Sequence, residues 1–105
     1  MRDKWIEKFE KEALPVIILE TKPINVFIFG SRIKGCARED SDIDVIIVSD
    51  FFKTIPFVMR AGYMLKKLRF SKHLDIICYS SEEFKRACND SLIIQDAHTY
   101  WHVAA

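Results

Sequence analysis

Two aspartates, Asp42 and Asp44, stand two residues apart at the head of an apolar run from Val45 to Val48. On a strand, that spacing puts both carboxylates on one face and turns Ile43 to the other. Carboxylates so placed repel one another and resist ionisation unless a cation lies between them. Magnesium suits such a donor set, because it takes oxygen ligands and keeps positions for water and phosphate oxygens. Asp75 is a third acid of the same kind. It stands between Leu74 and Ile76 in an otherwise apolar stretch, where an unpaired charge is costly to bury. If its strand lies beside that of Asp42 and Asp44, three carboxylates converge. Two could bridge a pair of metal ions about 4 Å apart, as in phosphoryl-transfer sites, and the third could hold the catalytic metal and help deprotonate an attacking hydroxyl. Taken singly, Asp-x-Asp is a polar strand entrance and Asp75 an edge-strand carboxylate facing water.

Upstream, a second apolar run (Val26 to Phe29) stops at Gly30-Ser31. A glycine directly after a buried strand lets the backbone turn sharply and come close to a ligand. The N–H groups of the turn and the Ser31 hydroxyl can then bind phosphate oxygens. Arg32 and Lys34 would neutralise phosphate charge there, or stand as solvated surface residues.

The elements that must position these groups can be read in order. Trp5, Ile6, Phe9 and Ala13 recur at helical spacing over residues 3–20, with a kink or restart expected at Pro15. Val16 to Leu19, apolar all round, is expected to be buried. Ile24 to Phe29 reads as a strand, Ser31 to Gly35 as a helical turn, Cys36 to Ser41 as loop and Asp42 to Val48 as a second strand. Both strands are apolar on both faces, so both are expected to be central and covered by helices. Thr54, with Pro56 in the first turn, is expected to cap a helix to about Arg69. In that helix Val58, Met59, Leu65 and Leu68 would face inward and Lys66, Lys67 and Arg69 outward. Leu74 to Tyr79 is a third strand. Ser80 and Glu83 form a capping-box pattern for a helix to about Cys88, broken at Asn89-Asp90. A short helix from Ser91 to about His98 and an extended tail over residues 100–103 complete the order. The fold class expected is α/β (α+β), a small mixed sheet with helices packed on it, in one domain over residues 1–105.

Composition narrows the field. The chain has 105 residues, half of them apolar and 30% charged, with a net charge of +1. That is a globular composition with no global basic field, so direct nucleic-acid binding is not expected, although Lys66, Lys67, Arg69 and Lys72 would cluster locally. The three cysteines, Cys36, Cys78 and Cys88, lack CxxC spacing and read as free thiols of a reducing cytoplasm. His73, His98 and His102 are too scattered to join them in a zinc site. The first residues are charged throughout, unlike a signal peptide, and no apolar run approaches the roughly 20 residues of a membrane span. The cytoplasm is therefore the expected location.

Gly30-Ser31, followed after ten residues by Asp42-x-Asp44, resembles the signature of the minimal nucleotidyltransferases of the DNA polymerase beta superfamily. Asp75, in a following hydrophobic-Asp-hydrophobic strand, matches that superfamily's third acid. The resemblance runs from about Ile24 to Tyr79. It departs at Ile33-Lys34-Gly35, where the family often has Ala-Arg-Gly; charge and glycine are kept and the guanidinium fork is lost. The resemblance implies a polymerase beta-like core in which Asp42, Asp44 and Asp75 bind two magnesium ions and carry catalysis. Gly30 and Ser31 would hold a nucleoside triphosphate, expected to be ATP, with Arg32 and Lys34 beside it. A nucleoside monophosphate would pass to an acceptor hydroxyl. Members this small resemble the antitoxin half of a pair with a helical HEPN-domain RNase, whose tyrosine is adenylylated. Alternatives are an inactive module that neutralises its HEPN partner by contact, and a nucleotide sensor without turnover; a homo-oligomer is compatible with all three. The apolar tail, Tyr100-Trp101 with Val103, would cover either a partner or the domain's own core.

Overall fold

The computed structural model describes residues 3–35, 41–90 and 102–105. Helix α1 (Lys4–Glu12) begins at Asp3, whose carboxylate accepts the N–H groups of Trp5 and Ile6 at 2.8 and 3.2 Å, a good cap because these donors have no intrahelical partner. The chain breaks at Ala13 and restarts as α2 (Leu14–Thr21), with Pro15 in its first turn. Proline is harmless there, since the N–H it lacks would be unpaired anyway.

Strand β1 (Asn25–Phe29), the single turn α3 (Ser31–Lys34) and strand β2 (Ile43–Val48) follow. A 3-10 turn at Asp50–Thr54 leads into α4 (Phe57–Leu68). Strand β3 (Leu74–Tyr79), helix α5 (Ser81–Asp90) and the two-residue strand β4 (His102–Val103) complete the described elements. The sheet order is β3-β2-β1-β4. Strand β1 is antiparallel to both neighbours, and β2 is parallel to β3. This is the mixed sheet with packed helices expected from the sequence, with β1 and β2 both internal.

Alternation along the strands divides the apolar residues between two faces. Val26, Ile28, Ile43, Val45, Ile47, Leu74, Ile76 and Cys78 face the main core, where they meet Ile6 and Phe9 of α1, Ile17 of α2, Phe52, and Met64 and Leu68 of α4. Phe27, Ile46 and Val48 face the other way, against Phe84, Ala87 and Cys88 of α5. Truncating a fully buried ring such as Phe9 or Phe52 to alanine would cost about 3–5 kcal/mol.

Three local expectations are corrected. Helix α4 is rotated from the expected phase: Val58, Met59 and Leu65 are exposed, and the buried positions are Arg60, Met64 and Leu68. Arg60 turns inward because it has partners there. Its Nε donates to the Ile55 carbonyl (2.8 Å), and its Nη1 to the Cys78 carbonyl (3.2 Å) and to Glu83 (2.6 Å), with the rings of Phe52 and Phe57 alongside. Thr54 caps nothing; it ends the 3-10 turn, which Ser49 caps through Phe51 N–H, and α4 starts after Pro56 with no side-chain cap. Within Val16 to Leu19, Ile17 is buried, whereas Ile18 is 44% and Leu19 83% exposed, because α2 offers only one side to the core.

The capping box forms as expected: Ser80 N–H donates to Glu83 Oε1 at 2.7 Å and Glu83 N–H to Ser80 Oγ at 3.4 Å. Lys66, Lys67 and Arg69 are exposed as expected, with Lys67 3.9 Å from Glu20. Cys78 and Cys88 are free thiols. Among the described residues no helix is long and apolar enough to cross a membrane. Cys36, the expected Ser91–His98 helix, and Tyr100 and Trp101 lie outside the described residues.

Candidate active site

The site lies at the end of the sheet where β1 finishes and β2 and β3 begin. Asp44 is the second residue of β2 and Asp75 the second of β3. The parallel register makes them direct partners, and across β1 Asp44 faces Phe29. Both aspartates continue the rows that carry Ile46 and Val48, and Ile77 and Tyr79, on the α5 face of the sheet. Asp42, two residues before Asp44, falls on that face by alternation. It lies just outside the strand, exposed. The sheet therefore brings the three sequence-predicted acids to one place.

Their proximity has an electrostatic cost. Asp44 is the most enclosed of the three. Burial first, then the charges of Asp75 and Asp42, push its carboxyl up to about 6 from an ordinary value of 3.8. A carboxyl raised by neighbouring carboxylates is one that a divalent cation would return to its ionised form. Among the described residues no three histidine, cysteine or acidic side chains are drawn close enough to hold one ion as they stand. The fit to magnesium lies in the donors themselves: carboxylate oxygens on one face, mutually repelling, with Asp42 and Asp75 exposed.

Gly30 explains how the turn and the acids come together. Its φ is +85°, and a β-carbon built there would lie 2.0 Å from Asp44 Oδ2. Only a residue without a side chain lets the backbone pass over the carboxylate this closely. Ser31 opens α3 directly afterwards, and the Ile33 N–H donates to the Gly30 carbonyl at 3.1 Å to close the turn. Ser31 and Lys34 are the first and last residues of α3; their side chains lie outside the described structure.

Arg32 sits differently from a residue reaching for solvent. It is buried, with Nη1 donating to Asp3 Oδ2 at 2.8 Å and Nε donating to the Ser41 carbonyl at 3.0 Å. Two residues that the sequence reading did not assign to the site join its surroundings. Asp3 receives Arg32, and bonds from that guanidinium and from the Trp5 and Ile6 N–H groups hold its carboxyl below the ordinary range although burial opposes them. His73 places Nε2 4.0 Å from Asp42 Oδ2; its position one residue before β3 was the available signal.

The comparisons agree with this geometry. A family model described as polymerase beta, nucleotidyltransferase matches residues 12–96. A solved structure from Sulfolobus solfataricus, provisionally designated a nucleotidyltransferase, is 26% identical, with a TM-score of 0.55 over 76% of this chain and 74% of its own. A second structure with the same provisional designation is 26% identical, with a TM-score of 0.54 over 75% of this chain and 86% of its own. BolA1 from Arabidopsis thaliana superposes with a TM-score of 0.54 over 67% of this chain and 88% of its own at 23% identity, a likeness of fold alone. No protein of curated function matches the sequence significantly. Fold similarity extends to proteins of other names, so the weight rests on the family match and on the acids it spans. With that match covering most of its length, the chain belongs to the polymerase beta nucleotidyltransferase family.

Proposed function

We propose that the domain is a magnesium-dependent nucleotidyltransferase that moves AMP from ATP to a protein hydroxyl, the tyrosine of a HEPN-domain toxin, and so acts as the antitoxin. The observation that carries the chemistry is the strand register that sets Asp75 directly beside Asp44, with the Gly30 turn packed against the Asp44 carboxylate.

In this reading Asp42 and Asp44 hold the metal, and Asp75 completes the set. Bound there, magnesium would neutralise triphosphate charge and favour ionisation of the acceptor hydroxyl. The backbone N–H groups of the Gly30-Ser31 turn receive the triphosphate beside Asp44. Asp75, exposed at the outer strand, accepts the proton of the acceptor. The acceptor oxygen forms a bond to the α-phosphorus, the bond to the leaving oxygen breaks, and pyrophosphate departs. Most of the acceleration comes from positioning and charge neutralisation. The partner reading draws on exposed apolar side chains: Leu19 of α2 and Val58 and Met59 of α4 are 83, 88 and 61% exposed.

Incubation with α-labelled ATP, magnesium and the HEPN partner tests the proposal. Label should enter a tyrosine of the partner, and Asp42→Asn with Asp44→Asn should abolish both the label and neutralisation. Neutralisation that survives those changes would show a contact-only module instead. Tight ATP binding without pyrophosphate release would show a sensor.

A further inference from the structure

Asp42 poses a positional problem that Asp44 and Asp75 do not. The latter two sit within ladders, but Asp42 precedes β2, whose first residue, Ile43, is tied on by a 3.3 Å bond from its N–H to the His73 carbonyl. Something besides the sheet must hold the Ser41-Asp42 backbone. Arg32 is placed to do so. It lies two residues beyond Gly30, and its Nε donates to the carbonyl of Ser41, the residue before Asp42. Its Nη1 is anchored on Asp3, which is fixed in turn as the cap of α1. The side chain of Arg32 is 4% exposed. A flat guanidinium with several donors in fixed directions can make both bonds at once, which a lysine ammonium on a flexible stem does poorly.

We propose that Arg32 is a positioning residue, a brace running from the α1 cap through the glycine turn to the backbone of residue 41, which holds Asp42 in the space shared with Asp44 and Asp75. It acts through that backbone and does not touch the phosphates. The metal part of this inference rests on the proposed function; the brace itself does not.

The test uses the full chain and manganese as the probe, with free Mn2+ followed by electron paramagnetic resonance and no nucleotide present. Arg32→Met and Arg32→Lys are each expected to weaken Mn2+ binding about tenfold, the scale on which lost supporting contacts act on a metal site. Asp3→Asn removes the anchoring charge while keeping an equally good helix cap. It should weaken binding in the same direction, and should add little to Arg32→Met, because both break one brace. Amide exchange gives a second readout that needs no metal: the Ile43 N–H should exchange faster in all three variants, while those of Ile46 and Ile47 should not change. Variants that lower the melting temperature but leave both Mn2+ affinity and Ile43 exchange as in the wild type would overturn the brace. So would Arg32→Met that loses ATP affinity with Mn2+ affinity intact and Asp3→Asn silent, which would mean a phosphate contact. A wild-type chain that binds no Mn2+ would count against the proposed function, and the exchange data would still decide the brace. Should Arg32→Met not fold, Asp3→Asn and Arg32→Lys carry the test.

Discussion

Asp44 Oδ2 occupies the place where a side chain on Gly30 would begin, 2.0 Å from the position of its β-carbon. The turn and Asp44 are thus one packing unit, and glycine is favoured there twice, once for space and once for its positive φ. Gly30→Ala should therefore cost about 1–2 kcal/mol in stability from the left-handed backbone. Transferase activity should fall far more, because the carboxylate must swing away. Among the described residues nothing beyond its own helix backbone and chain neighbours lies within 4 Å of a β-carbon on Gly62, in α4, and Gly62→Ala should stabilise by about 0.5–1 kcal/mol. Thermal melts and label transfer on the two variants check the contrast.

The raised carboxyl of Asp44 makes stability depend on pH. Because its folded value is about 6 against an ordinary 3.8, the folded chain binds that proton more tightly than the unfolded one. Its contribution is present in full below 3.8 and is lost as pH rises through about 6. In the presence of a chelator, Asp44→Asn should therefore raise the melting temperature at about pH 8 and change it little at about pH 3.5. Equal effects at the two pH values would contradict the upward shift that burial and the neighbouring carboxylates give Asp44.

Glu83 behaves in the opposite sense. The bond from Arg60, chiefly, and those from Ser80 hold its carboxyl at about 2, below an ordinary 4.5, against a smaller effect of burial. Its contribution is present above 4.5 and lost as pH falls towards about 2. Glu83→Ala leaves the buried Arg60 charge short of a partner and should destabilise by about 3 kcal/mol near neutral pH. Denaturant melts across acid pH should show the difference from wild type shrinking as Glu83 protonates.

The outer face of α4 separates folding from binding. Val58 is 88% exposed, so Val58→Ser should shift stability by no more than about 0.5 kcal/mol. If the HEPN partner docks on this face, the same change, alone or with Leu19→Ser, should weaken the complex measured by calorimetry.

What could be read from the sequence was what depends on local pattern. Leu74 to Tyr79 is a strand over its full expected span, and Ser80 with Glu83 is a capping box, because each is decided by neighbours in the chain. The three acids came together because two residues of separation on a strand and a parallel register leave little choice of face. The phase of α4 was misread because Phe57, Val58 and Met59 are consecutive and point all round the helix, while the residue that fixes the phase is charged. Arg60 turns inward for carbonyls and a carboxylate up to 23 residues away. The partners of Arg32 were opaque for the same reason, since one of them is Asp3, 29 residues earlier. Long-range partners of buried cations leave no periodic trace.

The polarity of the sheet has a consequence for how such a domain can diversify. Since β1 arrives at the site while β2 and β3 depart from it, the connection from α4 to β3 ends beside the acids. The crossover through the 3-10 turn leaves β2 at the opposite end. Residues inserted around Ser71 would enlarge the surroundings of the site without shifting one rung of the ladder that sets Asp44 against Asp75. The surroundings of the site can therefore be rewritten by loop grafting while the paired aspartates are inherited unchanged.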